Sequence, residues 1–394
     1  MGDRFKINTF NNIASRGLEL FTRSKYDVGK HADPDAILLR SFNLHEETLG
    51  SGLKAVGRAG AGTNNIQVKA LSQKGIPVFN TPGANANAVK ELVIAAILMS
   101  ARNVVPAANY VAGLSSAGDQ LQSEIESAKK KFSGSELPGR TVGVVGLGKI
   151  GSLVASSCIK LGMKVVGYDP TITIDAAWGL STEVVRAQSL DEVLSNSDFV
   201  TVHVPLADNT RNLMDAKTIV KIKKGATLLN FSRGGIVDTL AINEALAQKH
   251  LAGYVCDFPS EQFRKIPQII CLPHLGASTK EAEENCAVMV VSQVQDFLEN
   301  GNILNSVNFP NVTMERESAF RVGISNQNVP NMVGQISTVL ADNKLNIHNM
   351  VNKSMGNMAY TLVDTDSPVK VEVIKAISTV EGVLGVRYLP IIEN

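Results

Sequence analysis

The sequence predicts an α/β protein built from two doubly wound parallel sheets and a smaller βαββαβ unit. Three observations carry that expectation: a length of 394 residues, an alternation of short apolar runs with helical or Gly-rich segments, and a change of element order near the end of the chain. Chains beyond about 250–300 residues divide into domains of about 100–200, so two or three domains are expected. With 44% apolar residues, 19% charged residues and 32 glycines, the composition suits packed cores and not a disordered or fibrous chain. Thirty-eight Lys and Arg against 37 Asp and Glu leave a formal charge of +1. No strong field therefore favours nucleic acid or an anionic membrane, and any anion has to be held locally.

Apolar runs at Ala36-Ile37-Leu38-Leu39, Leu53-Lys54-Ala55-Val56 and Pro77-Val78-Phe79 read as strands of a first α/β unit over residues 1–100. Lys90 to Val105 reads as a helix; its apolar stretch Leu92 to Ala101 is about half the ~20 residues of a membrane span, so it is expected to be buried. The run Lys129-Lys130-Lys131 reads as a solvated helix face. A second unit over residues 101–277 carries strands at Thr141–Val145, Lys164–Tyr168, Phe199–Val204, Thr227–Asn230 and Gly253–Asp257. A long helix near Thr279–Glu299 can return the chain to the first unit, which residues 278–307 are expected to complete.

After a linker at Asn300–Pro310 come strand Phe320–Ile324, helix Met332–Asp342, strands Ile347–Val351 and Ala359–Asp364, helix Val369–Ser378 and strand Val383–Tyr388. This is the order of a ferredoxin-like unit, placed at residues 318–394 and expected to be separable from about Asn311 onward. The start, Met1 to Lys6 leading into Asn8-Thr9-Phe10-Asn11-Asn12, lacks the apolar segment of a signal peptide, so a cytoplasmic location is expected. Cys158, Cys256, Cys271 and Cys286 lie in apolar surroundings without a C-x-x-C pair. They are expected to be buried thiols, with neither a disulfide framework nor a metal site.

Gly146-Leu147-Gly148-Lys149-Ile150-Gly151 places G-x-G-x-x-G directly after an apolar strand and at the start of a helical pattern. Gly146 lets the chain turn, Gly148 lets backbone N–H groups approach a pyrophosphate, and Gly151 lets helix and strand come close. Asp169 stands at the end of the next strand, where a carboxylate accepts both adenosine-ribose hydroxyls and repels a 2′-phosphate. The second unit is thus expected to be Rossmann-like and to bind NAD in preference to NADP. Arg233, Glu261 and His274 fall after later apolar segments of the same unit, where ligands of such sheets collect. Hydride transfer from an alcohol needs a base for the hydroxyl proton, which a His with a carboxylate partner supplies, and an Arg can clamp a substrate carboxylate.

Taken together, Gly146–Gly151, Val202-His203-Val204-Pro205-Leu206, Asn230–Gly235, Asp257–Glu261 and Pro273–Thr279 resemble the D-isomer-specific 2-hydroxyacid dehydrogenases, over nearly residues 1–305. The resemblance implies a flavodoxin-like first unit beside the Rossmann-like one. It also implies that Arg233 binds carboxylate and carbonyl, that Glu261 tunes His274, and that His274 exchanges the C2 proton. NAD contacts are implied for Gly146, Gly148, Lys149, Ile150, Gly151, Asp169, His203, Val204, Pro205, Phe231, Ser232, Arg233, Asp257, His274, Gly276 and Ala277. Glu261 argues against the formate dehydrogenases of this fold. The segment Asp257-Phe258-Pro259-Ser260-Glu261-Gln262 departs from the family pattern in being one residue shorter before the glutamate and lacking the following proline.

Leu39-Arg40-Ser41, the Val56–Asn65 segment and Asn80–Asn85 are similar to the substrate loops of family members acting on a phosphorylated three-carbon acid. Substrate contacts are implied for Arg40, Ser41, Arg58, Gly60, Ala61, Gly62, Asn85, Arg233 and His274, with Arg40 and Arg58 giving charge-assisted hydrogen bonds to the phosphate. The tail resembles a regulatory ACT domain, in which Asn326, Asn328 and Asn346 would hold an amino-acid effector such as L-serine between paired copies. A homodimer or homotetramer is expected on the same ground. The turn Asn328-Val329-Pro330-Asn331 has Asn where that domain usually has Gly, and Asn tolerates positive φ. Two other readings stay open: a 2-hydroxyacid dehydrogenase of the hydroxypyruvate or glyoxylate type, and an NAD-sensing corepressor of the same fold.

Overall fold

The computed structural model describes residues 4–391, apart from residues 48 and 265. The outermost residues of both expected termini, 1–3 and 392–394, lie outside the described residues. The chain divides into two units, Met1–Ala84 together with Lys280–Asn394, and Asn85–Thr279.

In the first unit β1 (Phe5–Thr9), β2 (Tyr26–Gly29), β3 (Ala36–Leu39), β4 (Ala55–Arg58) and β5 (Val78–Phe79) form a parallel sheet in the order β2-β1-β3-β4-β5. This is the flavodoxin order. The sheet is apolar on both faces because both are covered. Ile7, Leu38 and Phe79 pack against Val290, Val294 and Phe297 of the Lys280–Asn300 helix, so that helix does return to this unit. Ile37, Leu39, Val56 and Val78 pack on the other side with Leu71.

The second unit holds β6 (Thr141–Val145), β7 (Lys164–Tyr168), β8 (Val184–Arg186), β9 (Phe199–Val202), β10 (Thr227–Asn230), β11 (Gly253–Cys256) and β12 (Ile269–Cys271). Their order is β12-β11-β10-β9-β6-β7-β8, all parallel, which is the Rossmann order extended by one strand. The strand order reverses between β6 and β9, and the loops after those two strands flank that switch point. The Ala86–Ala101 helix belongs here: Val89, Val93, Ala96 and Ile97 share a core with Val142, Val144 and Phe231. The units therefore part after Ala84, where the sequence placed the boundary at residue 100. The helix expected to run to Val105 stops at Ala101, because Asn103 takes a φ of +50° before a second helix, Val104–Ala112.

The last segment forms an antiparallel sheet of β13 (Phe320–Gln327), β14 (Ile347–Met355), β15 (Met358–Thr365) and β16 (Val383–Pro390) in the order β14-β15-β13-β16. Val322, Ile324 and Val363 on one face pack against Ile336 and Leu340 of the Met332–Asp342 helix and Val373 and Ile377 of the Val371–Ser378 helix. Tyr360 and Leu362 on the other face share a core with Phe79 and Phe297 of the first unit. The expectation of a separable tail is corrected by this shared core, since removing the chain from Asn311 onward would expose it to water. No helix among the described residues is long and apolar enough to cross a membrane.

Two arginines, one buried and one half-buried, tie this sheet down. Arg321 on β13 is fully buried and all five of its donors are used. Nε and Nη2 donate to the two oxygens of buried Asp364 (2.6 and 2.8 Å), Nη1 to Asn300 O (3.2 Å) and Met314 O (3.0 Å), and Nη2 also to Glu315 O (2.8 Å). Arg387 on β16 donates to Phe297 O (3.0 Å), which also accepts from Gly301 N (2.9 Å), and to Leu298 O (2.8 Å), in the last turn of the Lys280–Asn300 helix. Removing one partner of a buried ion pair leaves an uncompensated charge, so Asp364→Ala is expected to destabilise the protein by about 3–5 kcal/mol. Urea unfolding measures this; a loss below about 1 kcal/mol, the value of an exposed pair, would show that Arg321 is not held as described.

Candidate active site

The turn after β6 is shaped by close approaches. Gly146 has a φ of +93°, and a Cβ there would lie 2.8 Å from the backbone carbon of His203. A Cβ on Gly151 would lie 1.9 Å from the Gly146 carbonyl oxygen, so only hydrogen fits where helix meets strand. Around Gly148 the opposite holds, and a Cβ would meet nothing within 4 Å. Lys149 and Ile150 open the Lys149–Lys160 helix, whose first N–H groups have no intrahelical acceptor. Asp169 at the end of β7 is fixed against this turn: one oxygen accepts from Leu147 N (2.9 Å), the other from Thr171 N (2.9 Å) and Thr171 Oγ1 (3.1 Å). Open backbone donors at a helix start and an oriented carboxylate one strand away suit a dinucleotide.

The loops after β9 and β10 are held by buried polar groups. His203, followed by Val204 and Pro205, shares a hydrogen bond between Nε2 and Thr201 Oγ1 (2.9 Å), while its Nδ1 is buried with no partner among the described residues. Burial holds its pKa down to about 4, so the ring is neutral near pH 7. Asn230, fully buried, was not singled out in the sequence. Its Oδ1 accepts from Ser232 N (3.1 Å) and its Nδ2 donates to Arg233 O (2.9 Å), while Ser232 Oγ donates to Val202 O (2.9 Å). Phe231 is buried in the core and Arg233 is exposed, its Nη1 donating to Ser232 O (2.7 Å). A polar residue closing the apolar run Thr227-Leu228-Leu229 was the available signal for Asn230.

His274 sits in an exposed loop after β12 with a φ of +59°, a conformation few residues adopt without support. The support is Asp257, nearly fully buried, whose Oδ1 accepts from Leu275 N and Oδ2 from Gly276 N, both at 2.7 Å. The Phe258 ring lies 5.0 Å from the imidazole, centroid to centroid. Ala277 is half-buried. Glu261 opens a short helical turn, Glu261–Phe263, and is exposed; no ion pair joins it to His274 among the described residues. Cys256 and Cys271 are paired across β11 and β12 with their sulfurs 3.6 Å apart, and burial pushes the Cys256 thiol up to about 12. Cys158, Cys256 and Cys286 are buried and Cys271 half-buried.

In the first unit Arg40 directly follows β3 and Arg58 ends β4. Arg58 Nε (3.0 Å) and Asn65 Nδ2 (3.1 Å) both donate to the Arg40 carbonyl, and Ser41 N donates to Asn11 Oδ1 (3.0 Å). The Arg58 guanidinium folds so closely over Gly60 that a Cβ there would lie 2.5 Å from it. Asn80 Nδ2 donates to Ala61 O (2.7 Å), and Gly62 is half-buried nearby in sequence. Arg40 Nη1 meets Glu283 Oε1 at 2.6 Å. Glu283 was not singled out in the sequence, although an acid in the first turn of a helix was its signal. Asn85 directly precedes the Ala86–Ala101 helix of the second unit.

Of the three effector candidates, Asn326 is nearly fully buried with Nδ2 donating to Gln327 O (2.7 Å) and Oδ1 unpartnered among the described residues. Asn328 Nδ2 donates to Gly356 O (3.0 Å), and Asn346 is exposed. Asn331 takes a φ of +63° at the start of the Met332–Asp342 helix, so it fills the position where the turn calls for glycine.

Residues 94–276 match the family model described as D-isomer specific 2-hydroxyacid dehydrogenase, NAD binding domain. The chain is 33% identical over 373 residues to the D-3-phosphoglycerate dehydrogenase of Escherichia coli (strain K12), covering 91% of this chain and 87% of that protein. To the D-3-phosphoglycerate dehydrogenase of Synechocystis sp. it is 38% identical over 288 residues, 71% of this chain but only half the length of that relative. The crystal structure of NAD+-bound 3-phosphoglycerate dehydrogenase from Entamoeba histolytica superposes with a TM-score of 0.62 at 25% identity, over 77% of this chain and 99% of that one. With 33% identity to the E. coli enzyme across most of both proteins, and a family model matching residues 94–276, this chain belongs to the D-isomer specific 2-hydroxyacid dehydrogenases.

Proposed function

We propose that the chain oxidises D-3-phosphoglycerate to 3-phosphohydroxypyruvate with NAD, the entry reaction of L-serine synthesis. The observation that carries this reading is the likeness to the E. coli D-3-phosphoglycerate dehydrogenase over 87% of that protein. Gly146, Gly148 and Gly151 with the helix start after them would hold the pyrophosphate, and Asp169 the adenosine ribose. NAD, when bound, supplies the hydride acceptor. Arg233 binds the substrate carboxylate bidentately, and Arg40 and Arg58 bind the phosphate. His274 takes the C2 hydroxyl proton, and the two hydrogen bonds of Asp257 keep its loop in the strained conformation that presents it. Glu261 stabilises the resulting imidazolium by moving toward it. The corepressor and the unphosphorylated-substrate readings gain nothing comparable from the site.

For the C-terminal sheet we propose an effector role through Asn326, Asn328 and Asn346, whose amides can donate to a carboxylate and accept from an ammonium group. The unpartnered Asn326 Oδ1 supports it. L-Serine is the proposed effector, acting between copies of a homodimer or homotetramer in the cytoplasm.

A steady-state assay with D-3-phosphoglycerate and NAD tests the reaction directly, and absence of turnover would sink it. His274→Ala is expected to lower kcat by roughly 10²–10⁴ with NADH binding retained; near-normal turnover in the folded variant would remove His274 from the chemistry. Asp169→Ala is expected to weaken NAD and narrow its advantage over NADP, because the charge that repels the 2′-phosphate is gone. Equal use of both cofactors by the unaltered protein would contradict that assignment. Serine at millimolar concentration is expected to inhibit the intact enzyme; no inhibition, with no heat of serine binding by calorimetry, would leave the C-terminal sheet without this role.

A further inference from the structure

Around Arg40 the first unit sets a carboxylate against an arginine proposed to bind phosphate. Arg40 Nη1 and Glu283 Oε1 lie 2.6 Å apart, with side-chain exposures of 34% and 42%, so the pair is reachable by an anion from solvent. The backbone of Arg40 is fixed, because its carbonyl accepts from Arg58 Nε and Asn65 Nδ2. Its guanidinium can therefore change partner without moving the strand end. Below the pair, Cys286, one turn on from Glu283, and Thr81 are buried, and burial keeps the thiol protonated. The neighbouring acid of that helix, Glu284, faces elsewhere, to Arg16 (3.2 Å) and Lys280 (3.8 Å).

A phosphate monoester carries about −1.5 to −2 at pH 7 and matches two guanidinium groups. Glu283 is a negative charge already paired with one of them, Arg40. We propose that Glu283 is a specificity-determining residue, an internal competitor for Arg40 that a phosphorylated substrate has to displace and an unphosphorylated one does not. The inference rests on the phosphate role given to Arg40 above. Glu283 keeps the empty site's arginine paired and limits how tightly phosphate is held, which favours release of a phosphorylated product.

The test compares Glu283→Gln and Arg40→Ala with the unaltered enzyme on D-3-phosphoglycerate and on an unphosphorylated 2-hydroxy acid, with inorganic phosphate as a competing probe. Glu283→Gln is expected to lower KM for the phosphorylated substrate and the inhibition constant of inorganic phosphate about threefold to tenfold. KM for the unphosphorylated acid stays unchanged. A structural role alone would move both substrates together. If Arg40→Ala raises KM for the phosphorylated substrate selectively while Glu283→Gln leaves it unchanged or raises it, the role of Glu283 is overturned and the phosphate site stands. If Arg40→Ala affects both substrates equally, the phosphate site itself fails, and this inference with it. Thermal unfolding of each variant establishes that it is folded; should Glu283→Gln unfold, Glu283→Asp, whose shorter side chain loosens the contact, gives the same readout with a smaller expected shift.

Discussion

A parallel sheet covered on both faces has no wet face on which to carry polar chemistry, and the rest of this structure follows from that constraint. Strands β3, β9, β10 and β11 are buried at every position. Those four strands carry no charged residue, and the chain places the polar groups of the site at carboxyl ends: Arg40 after β3, Arg58 on β4, Asp169 after β7, His203 after β9, Asn230 closing β10 and Asp257 after β11. Because the strands of each sheet are parallel, the groups within one unit gather along one edge of its sheet. Hydrogen bonds then act mainly to fix loops, as Asn230 does for Ser232 and Arg233 and Asp257 does for the histidine loop.

That constraint also explains which elements the sequence revealed. A strand buried on both faces reads as an almost unbroken apolar run, and β6 and β10 begin and end where the runs do. Other strands, β2 and β8 at sheet edges among them, are only partly buried, and Tyr26-Asp27-Val28-Gly29 and Val184-Val185-Arg186 gave no such run. In β1 the apolar Phe5 and Ile7 alternate with Lys6 and Asn8, so this central strand made no apolar run in the sequence. The affiliation of the Ala86–Ala101 helix was not legible either. Its apolar residues say that it is buried but not against which sheet, since contacts distant in sequence decide that.

The site divides along the same line. Gly146, Gly148, Gly151 and Asp169 answer to local backbone geometry within one βαβ turn, so their spacing was enough to find them. Asn230, Glu283 and the hydrogen-bonding role of Asp257 depend on partners the fold supplies. Asp257 was expected only as a cofactor contact; in the folded chain its two oxygens are both occupied by backbone N–H groups of the histidine loop. Glu261, one residue closer to β11 than the family pattern has it, starts a surface turn instead of meeting the imidazole.

The C-terminal sheet shows how a small antiparallel unit becomes inseparable from a larger one. One face is filled by its own two helices, as any half-solvated sheet requires, and the other supplies Tyr360 and Leu362 to the core beneath Phe79 and Phe297. Arg321 draws Asn300, Met314 and Glu315 onto the same sheet, so the connecting segment is held along its length. Arg387 holds the last carbonyls of the Lys280–Asn300 helix, and Arg40 meets the first turn of that same helix through Glu283. At about 1.5 Å per residue the helix spans roughly 30 Å. The C-terminal sheet and the Arg40 site therefore touch opposite ends of one covalently continuous element, and mechanical connection between them needs no flexible tether.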